Sequence, residues 1–169
     1  MSPWMIDKLP FNFLYCGLIH RALPNAKIIH MTRDPMDTCY AVYKTLFGQA
    51  YPFSYDLDEL AAYFLAYRRL MDHWHEVMPG QILNVAYEDV VADTESAARR
   101  LTEYCGLQWE RECLEFHTSR AATTTASAAQ VRQPVYSSSV QKWRHYEQQL
   151  APLQARLLDA GLIETVDRT

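Results

Sequence analysis

Apolar residues between positions 57 and 78 recur three or four positions apart, which is the spacing of an amphipathic α-helix. The recurring residues are Leu57, Leu60, Phe64, Tyr67, Met71, Trp74 and Met78. Asp56 and Glu59 indicate a capping box at the helix start, with aspartate in place of the usual serine or threonine. Pro79 and Gly80 predict its end. The segment therefore predicts one long helix with a buried stripe.

Two compact apolar runs, residues 27–32 and 81–86, predict buried strands. Helical patterns separate or flank them at residues 10–23, 35–47, 94–104, 110–116 and 148–160. Strands that alternate with helices pair in parallel through crossover connections. The order therefore predicts an α/β domain, a three-layer parallel sheet with crossover helices. Two strands make a thin sheet, so we expect further strands to belong to it.

Length and composition narrow the class of protein. The 169 residues suit one domain, and 49% of them are hydrophobic, as in globular proteins. No apolar run approaches the length of a membrane span, and the N-terminal residues do not resemble a signal peptide. A net charge of −4 argues against general nucleic-acid binding. The four cysteines form no C-x-x-C pair, so we expect free core thiols and a reducing, cytoplasmic compartment.

The five glycines lie far apart, which excludes both a Walker loop and a G-x-G-x-x-G turn. A nucleotide kinase is excluded with them. Charge is unevenly distributed, because residues 34–116 are strongly acidic whereas residues 117–146 contain four cations and no acid. Residues 118–139 are also rich in Ser, Thr and Ala and follow no period, as functional loops and disordered segments do. The segment could close over a polyanion, or it could be a solvated loop.

Arg33 is the first candidate for a binding residue. It follows the strand at residues 27–32 and precedes a helix for which Asp34 is the predicted N-cap and Pro35 the first residue. Ligands of parallel sheets bind beyond the carboxyl ends of the strands. Free N–H groups of the helix and the guanidinium could together hold an anion. The alternative is an ion pair of Arg33 with Asp34 or Asp37.

Other polar residues are weaker candidates. Lys8 precedes the first helix and could be an ordinary surface charge. Glu88 follows the second strand and could be a base or a capping group. His73 and His75 look like a metal pair, but residues two apart on a helix point in different directions, so we expect no metal.

Several ordered motifs together resemble the sulfotransferases that use 3′-phosphoadenosine 5′-phosphosulfate (PAPS). The match is best to bacterial members linked to tetratricopeptide repeats, and tyrosylprotein sulfotransferases are more distant. The matching segments are residues 7–14, 23–29, 33–39, 85–90, 105–107, 126–136 and 142–143. The resemblance covers about residues 5–155 and implies transfer of a sulfuryl group from PAPS to a hydroxyl or amine of a small molecule or protein.

The resemblance also implies roles for individual residues. Arg33 and Lys142 would hold the 3′-phosphate, and Tyr87 would lie near the nucleotide. Lys8 and Ser127 would be catalytic and stabilise charge at the transferring sulfuryl group and its leaving oxygen. The basic loop 118–146 would cover the cofactor, and its binding residues would be Ser127, Gln130, Arg132, Tyr136 and Lys142.

Two departures from the family pattern leave alternatives open. Ala41 stands where the family usually has a serine that touches the 3′-phosphate. The loop that cradles the 5′-phosphosulfate is absent, so the chain resembles the C-terminal portion of a single, partial sulfotransferase domain spanning 1–169. It is either an enzyme completed by an N-terminal segment or by oligomerisation, or a non-catalytic module that binds the nucleotide or a partner.

Overall fold

The computed structural model describes residues 4–118, 133 and 135–164. Six α-helices and two strands are present in these ranges: α1 Cys16–Ala22, β1 Ile28–Thr32, α2 Pro35–Tyr43, α3 Leu57–Val77, β2 Ile82–Ala86, α4 Tyr87–Ala92, α5 Thr94–Cys105 and α6 Ala151–Asp159. Short 3₁₀-helices occupy Pro10–Tyr15, Pro52–Tyr55, Arg111–Thr118 and Lys142–Tyr146.

The two strands pair in parallel, from Ile28 opposite Ile82 to Thr32 opposite Ala86. α2 and α3 form the crossover between them, as the order of elements predicted. The chain is therefore an α/β structure with a small parallel sheet. Ile28 and Ile82 pack on the α3 side of this sheet, whereas Ile29 and Met31 on the other face of β1 are 39% and 51% exposed. Val85 on β2, which pairs with Met31 and shares that face, is 2% exposed, so the face is open at β1 and covered at β2.

Aspartate caps begin the main helices. The Asp34 carboxylate accepts a hydrogen bond from the Asp37 amide at the start of α2. Asp56 accepts from the amides of Asp58 and Glu59 at α3, and Asp93 accepts from Ser96 at α5. The caps predicted at Asp34 and Asp56 are confirmed. Each satisfies backbone donors that have no partner within the helix.

The larger core cluster joins the C-terminal part of the chain to α2 and α3. Its buried residues are Met36, Cys39, Tyr40, Leu60, Ala61, Phe64, Trp143, Leu150, Leu153 and Leu157. α6 supplies Leu153 and Leu157, and the 3₁₀-helix Lys142–Tyr146 supplies Trp143. This packing holds the segment around residue 140 against α2, which positions the candidate site.

Several predictions need correction. α2 ends at Tyr43 and not near residue 47, because the Thr45 hydroxyl donates to the Ala41 carbonyl and the Thr45 amide turns back to Val42. α4 was not predicted, since six residues are too few to show a period. Cys113 is exposed, so the prediction of core thiols is wrong for it.

The thiol prediction does hold for Cys16 and Cys39, which are buried. Burial raises the pKa of the Cys39 thiol to about 12, so this sulfur stays protonated and unreactive. Within the described ranges, no helix combines the length and the apolar content that crossing a membrane requires.

Candidate functional site

The site lies where β1 and β2 end side by side. Arg33 follows β1 and Tyr87 follows β2, and the parallel pairing brings them together. The guanidinium carbon of Arg33 lies over the Tyr87 ring, 4.9 Å from its centroid. The ring face attracts the cation and holds the guanidinium plane beyond the strand ends. The sequence predicted both residues at this edge, and the structure places them in contact.

A buried carboxylate lies on the other side of Arg33. Asp37, on the first turn of α2, is fully buried, and its Oδ2 is 3.7 Å from an Arg33 Nη atom. Of the two ion pairs considered for Arg33, the one with Asp37 is therefore present. This ion pair does not use all the hydrogen-bond donors of Arg33, because a guanidinium has five N–H groups. The Arg33 side chain remains 24% exposed, and its Nε has no hydrogen-bond partner among the described residues.

The segment Tyr136–Trp143 forms the third wall of the site. Arg33 donates a hydrogen bond to the Ser139 carbonyl, and the Tyr87 hydroxyl donates to the Tyr136 carbonyl at 3.4 Å. The amides of Gln141 and Trp143 in this segment donate to the Asp37 carboxylate. Arg33, Asp37 and Tyr87 thus contact one another or the segment Tyr136–Trp143, and together they form the Arg33 cluster.

The expectation of free N–H groups at the start of α2 is wrong. The Asp34 amide donates to Glu88 Oε1 at 2.9 Å, and the Asp37 amide donates to Asp34 Oδ1 at 2.8 Å. Pro35 has no N–H to offer. The amides of Asp34 and Asp37 are therefore satisfied by Glu88 and by the Asp34 carboxylate, and Arg33 is the donor that the described residues offer to an anion here.

The hydrogen bond from the Asp34 amide to Glu88 links the two strand ends. Of the two roles considered for Glu88, base or capping group, the structure therefore shows the capping one. Burial raises the pKa of the Asp34 carboxyl, the Asp37 amide lowers it, and the neighbouring carboxylates of Asp37 and Glu88 raise it further. Three acids and one arginine therefore share a small volume.

The predicted site residues divide into three groups. Arg33, Tyr87 and Tyr136 belong to the cluster, and Lys142 is exposed directly beside it. Lys8 lies in the exposed stretch before residue 10, and no hydrogen bond or ion pair within the described part of the chain connects it to Arg33. Ser127, Gln130 and Arg132, with most of the loop 118–146, lie outside the described residues.

Asp37 was predicted only as a possible ion-pair partner of Arg33, and its place at the centre of the site was not predicted. A local signal existed, because Asp37 lies four positions after Arg33 and at the start of a helix. The contacts that make it central come from residues more than a hundred positions away. Among the described residues, no three or more His, Cys, Asp or Glu side chains are grouped so that they could bind a metal ion.

Comparison with known proteins gives the class. The model of the Sulfotransferase family matches residues 1–111, more than half of the chain. The chain belongs to the sulfotransferase family, and the resemblance stated from its motifs is confirmed.

Relatives with names show the same class at lower identity. A putative protein-tyrosine sulfotransferase of Caenorhabditis briggsae is 25% identical over 153 residues, 85% of this chain and 53% of that protein. The omega-hydroxy-beta-dihydromenaquinone-9 sulfotransferase Stf3 of Mycobacterium tuberculosis is 31% identical over 115 residues, 61% of this chain and 29% of that protein.

A protein of Aquifex aeolicus, named only as uncharacterized, is 40% identical over 154 residues, 89% of this chain and 20% of that protein. The chain therefore spans between a fifth and about half of the length of these relatives.

Proposed function

We propose that this protein is a sulfotransferase whose sulfuryl donor is PAPS and whose acceptor is a hydroxyl or amine of a small molecule or protein. The observation that carries the proposal is the placement of Arg33 at the adjoining ends of two parallel strands, stacked on Tyr87 and still partly exposed. The exposed part of the Arg33 guanidinium suits a phosphate oxygen, because hydrogen bonds between a charged donor and a charged acceptor are among the strong ones.

The nucleotide contacts follow from this placement. Arg33 and Lys142 would hold the 3′-phosphate, and Tyr87 and Tyr136 would lie along the nucleotide. Ser127, Gln130 and Arg132 would cover it from the loop 118–146. The exposed side chain of Lys142 beside the Arg33 cluster supports this proposal, because a second cation there could also bind the phosphate.

The sulfuryl group of PAPS is the electrophile that PAPS supplies when bound. Lys8 and Ser127 would stabilise the charge that develops on the transferring group and its leaving oxygen. The remaining requirement is orientation of donor and acceptor, since an in-line transfer depends mainly on positioning. No metal is needed for these roles.

We further infer that the site belongs to a larger sheet than the two described strands. The exposed Ile29 and Met31 support a larger, three-layer sheet in which the open face is covered, by an oligomer partner or by a complementing N-terminal segment. Residues 1–169 would then be one partial sulfotransferase domain of P-loop-NTPase-like fold. The free cysteines support a reducing compartment such as the cytoplasm.

A second candidate is a module that binds the nucleotide without transferring sulfate. It is favoured by the position of Lys8, which is exposed and makes no ion pair or hydrogen bond with the Arg33 cluster in the described structure. Ala41 in place of a serine also removes one expected phosphate contact.

Calorimetric titration with 3′-phosphoadenosine 5′-phosphate tests the nucleotide site. We expect binding, and we expect Arg33→Ala to weaken it by at least about tenfold, the equivalent of 1.4 kcal/mol. Arg99→Ala is the matched control, because Arg99 pairs with Glu95 on the exposed face of α5. No heat at about 1 mM nucleotide would refute both candidates. Turnover of labelled PAPS by the chain would then exclude the non-catalytic module.

A further inference from the structure

Asp37 is a buried charge with partners from two distant parts of the chain. Its carboxylate is fully buried. Oδ2 accepts from the Gln141 amide at 2.6 Å, Oδ1 accepts from the Trp143 amide at 3.2 Å, and Arg33 lies 3.7 Å from Oδ2. A buried carboxylate is tolerated only when it is paired and hydrogen-bonded in this way.

The two amides that Asp37 binds belong to the residues on either side of Lys142. The backbone of Lys142 is therefore held from both directions by one carboxylate. Gln141 adopts a left-handed backbone conformation, with φ of 56°, which is unfavourable for a residue with a side chain. The bond to Asp37 and the burial of the Trp143 side chain hold it there. Lys142 projects from this fixed turn into solvent.

One side chain thus contacts Arg33 directly and fixes the backbone of Lys142. We propose that Asp37 is a positioning residue that sets Arg33 and Lys142 at the separation needed to hold one phosphate group between them. This inference rests on the proposed nucleotide site. It goes further, because it makes the strength with which Arg33 and Lys142 bind the phosphate depend on Asp37, a residue that the nucleotide would not touch.

A purely structural carboxylate would behave differently. If Asp37 only stabilised the fold, its replacement would lower the free energy of unfolding and leave the contribution of Lys142 to nucleotide binding intact. If Asp37 positions Lys142, its replacement removes that contribution, and a second substitution at Lys142 then costs little more. Coupling between the two substitutions therefore separates the roles.

The test is a double-mutant cycle with Asp37→Asn and Lys142→Ala, read by calorimetric titration with 3′-phosphoadenosine 5′-phosphate. We expect Asp37→Asn to raise the Kd at least about tenfold in the unsubstituted chain and by a smaller factor in the Lys142→Ala chain, where only its effect on Arg33 remains. Asp58→Asn is the matched control, because it removes one exposed charge from the first turn of α3.

The outcomes separate the two claims. Absence of binding by the unsubstituted chain overturns the proposed function. Binding that is unchanged by Asp37→Asn, or weakened by the same factor in both backgrounds, overturns the positioning role while the function stands.

A measurement on the unsubstituted chain covers the case in which Asp37→Asn does not fold. By amide hydrogen exchange, we expect the amides of Gln141 and Trp143 to exchange at least about a hundredfold more slowly than in an unstructured peptide, as native hydrogen bonds do. Exchange at the peptide rate would mean that Asp37 does not hold the turn, and the inference would fail.

Discussion

Gly17 is the position where helix propensity and packing make opposite predictions. It lies in α1, where alanine in place of glycine ordinarily stabilises by about 0.5–1 kcal/mol. A Cβ atom built there, however, would lie 2.8 Å from Cζ3 and 3.0 Å from Cη2 of Trp74. The indole cannot easily retreat, because its Nε1 donates to the Phe13 carbonyl at 2.8 Å. Overpacking of this kind costs about 1–3 kcal/mol.

The packing cost exceeds the propensity gain, so we expect Gly17→Ala to lower the free energy of unfolding by about 1 kcal/mol. Urea unfolding followed by circular dichroism measures it. In a Trp74→Phe background the contacting atoms are gone, and the same substitution should stabilise. A stability increase from Gly17→Ala in the unsubstituted chain would refute the reasoning, as would a loss of equal size in both backgrounds.

Two further predictions concern pH and the nucleotide. Burial lowers the pKa of His30 below its usual 6.5. The unfolded chain therefore binds the proton more readily, and stability should be complete above pH 6.5 and fall as the pH drops through that value. Unfolding midpoints between about pH 8 and pH 5 should show this, and His30→Gln should flatten the profile whereas the exposed His73→Gln should not. Ala41→Ser should tighten nucleotide binding by about tenfold by adding a hydroxyl donor to a charged group, as calorimetry would report; an equal or weaker affinity would contradict the alignment of α2 with the family.

The elements that the sequence predicted well have local signals. α3 runs from Leu57 to Val77, against a predicted 57–78, because its apolar stripe, its aspartate cap and the proline after it are all visible within the segment. The strands Ile28–Thr32 and Ile82–Ala86 were likewise predicted to within one residue. Their parallel pairing followed from the order of elements, whereas the contact of Arg33 with Tyr87 was not predicted.

The elements that the sequence did not predict depend on distant contacts. The 3₁₀-helix Lys142–Tyr146 begins after a left-handed Gln141, a conformation that a local pattern would assign to glycine. It exists because Asp37, about a hundred positions earlier, binds the amides on both sides of Lys142. The aspartate looks like any residue of a first helical turn, so no local pattern distinguishes it.

Acidic side chains outnumber the cations around the proposed phosphate site. The ionisable groups around it are Arg33, Lys142, Asp34, Asp37 and Glu88. With all of them charged, acids outnumber cations, and unit charges 4 Å apart near a protein surface interact by about 4 kcal/mol. The raised pKa of Asp34 eases this balance without reversing it. The proposed phosphate site therefore requires further cations, which residues 117–146 carry without any acid. Arg132 is one of them, and the family resemblance places it among the residues that bind the cofactor.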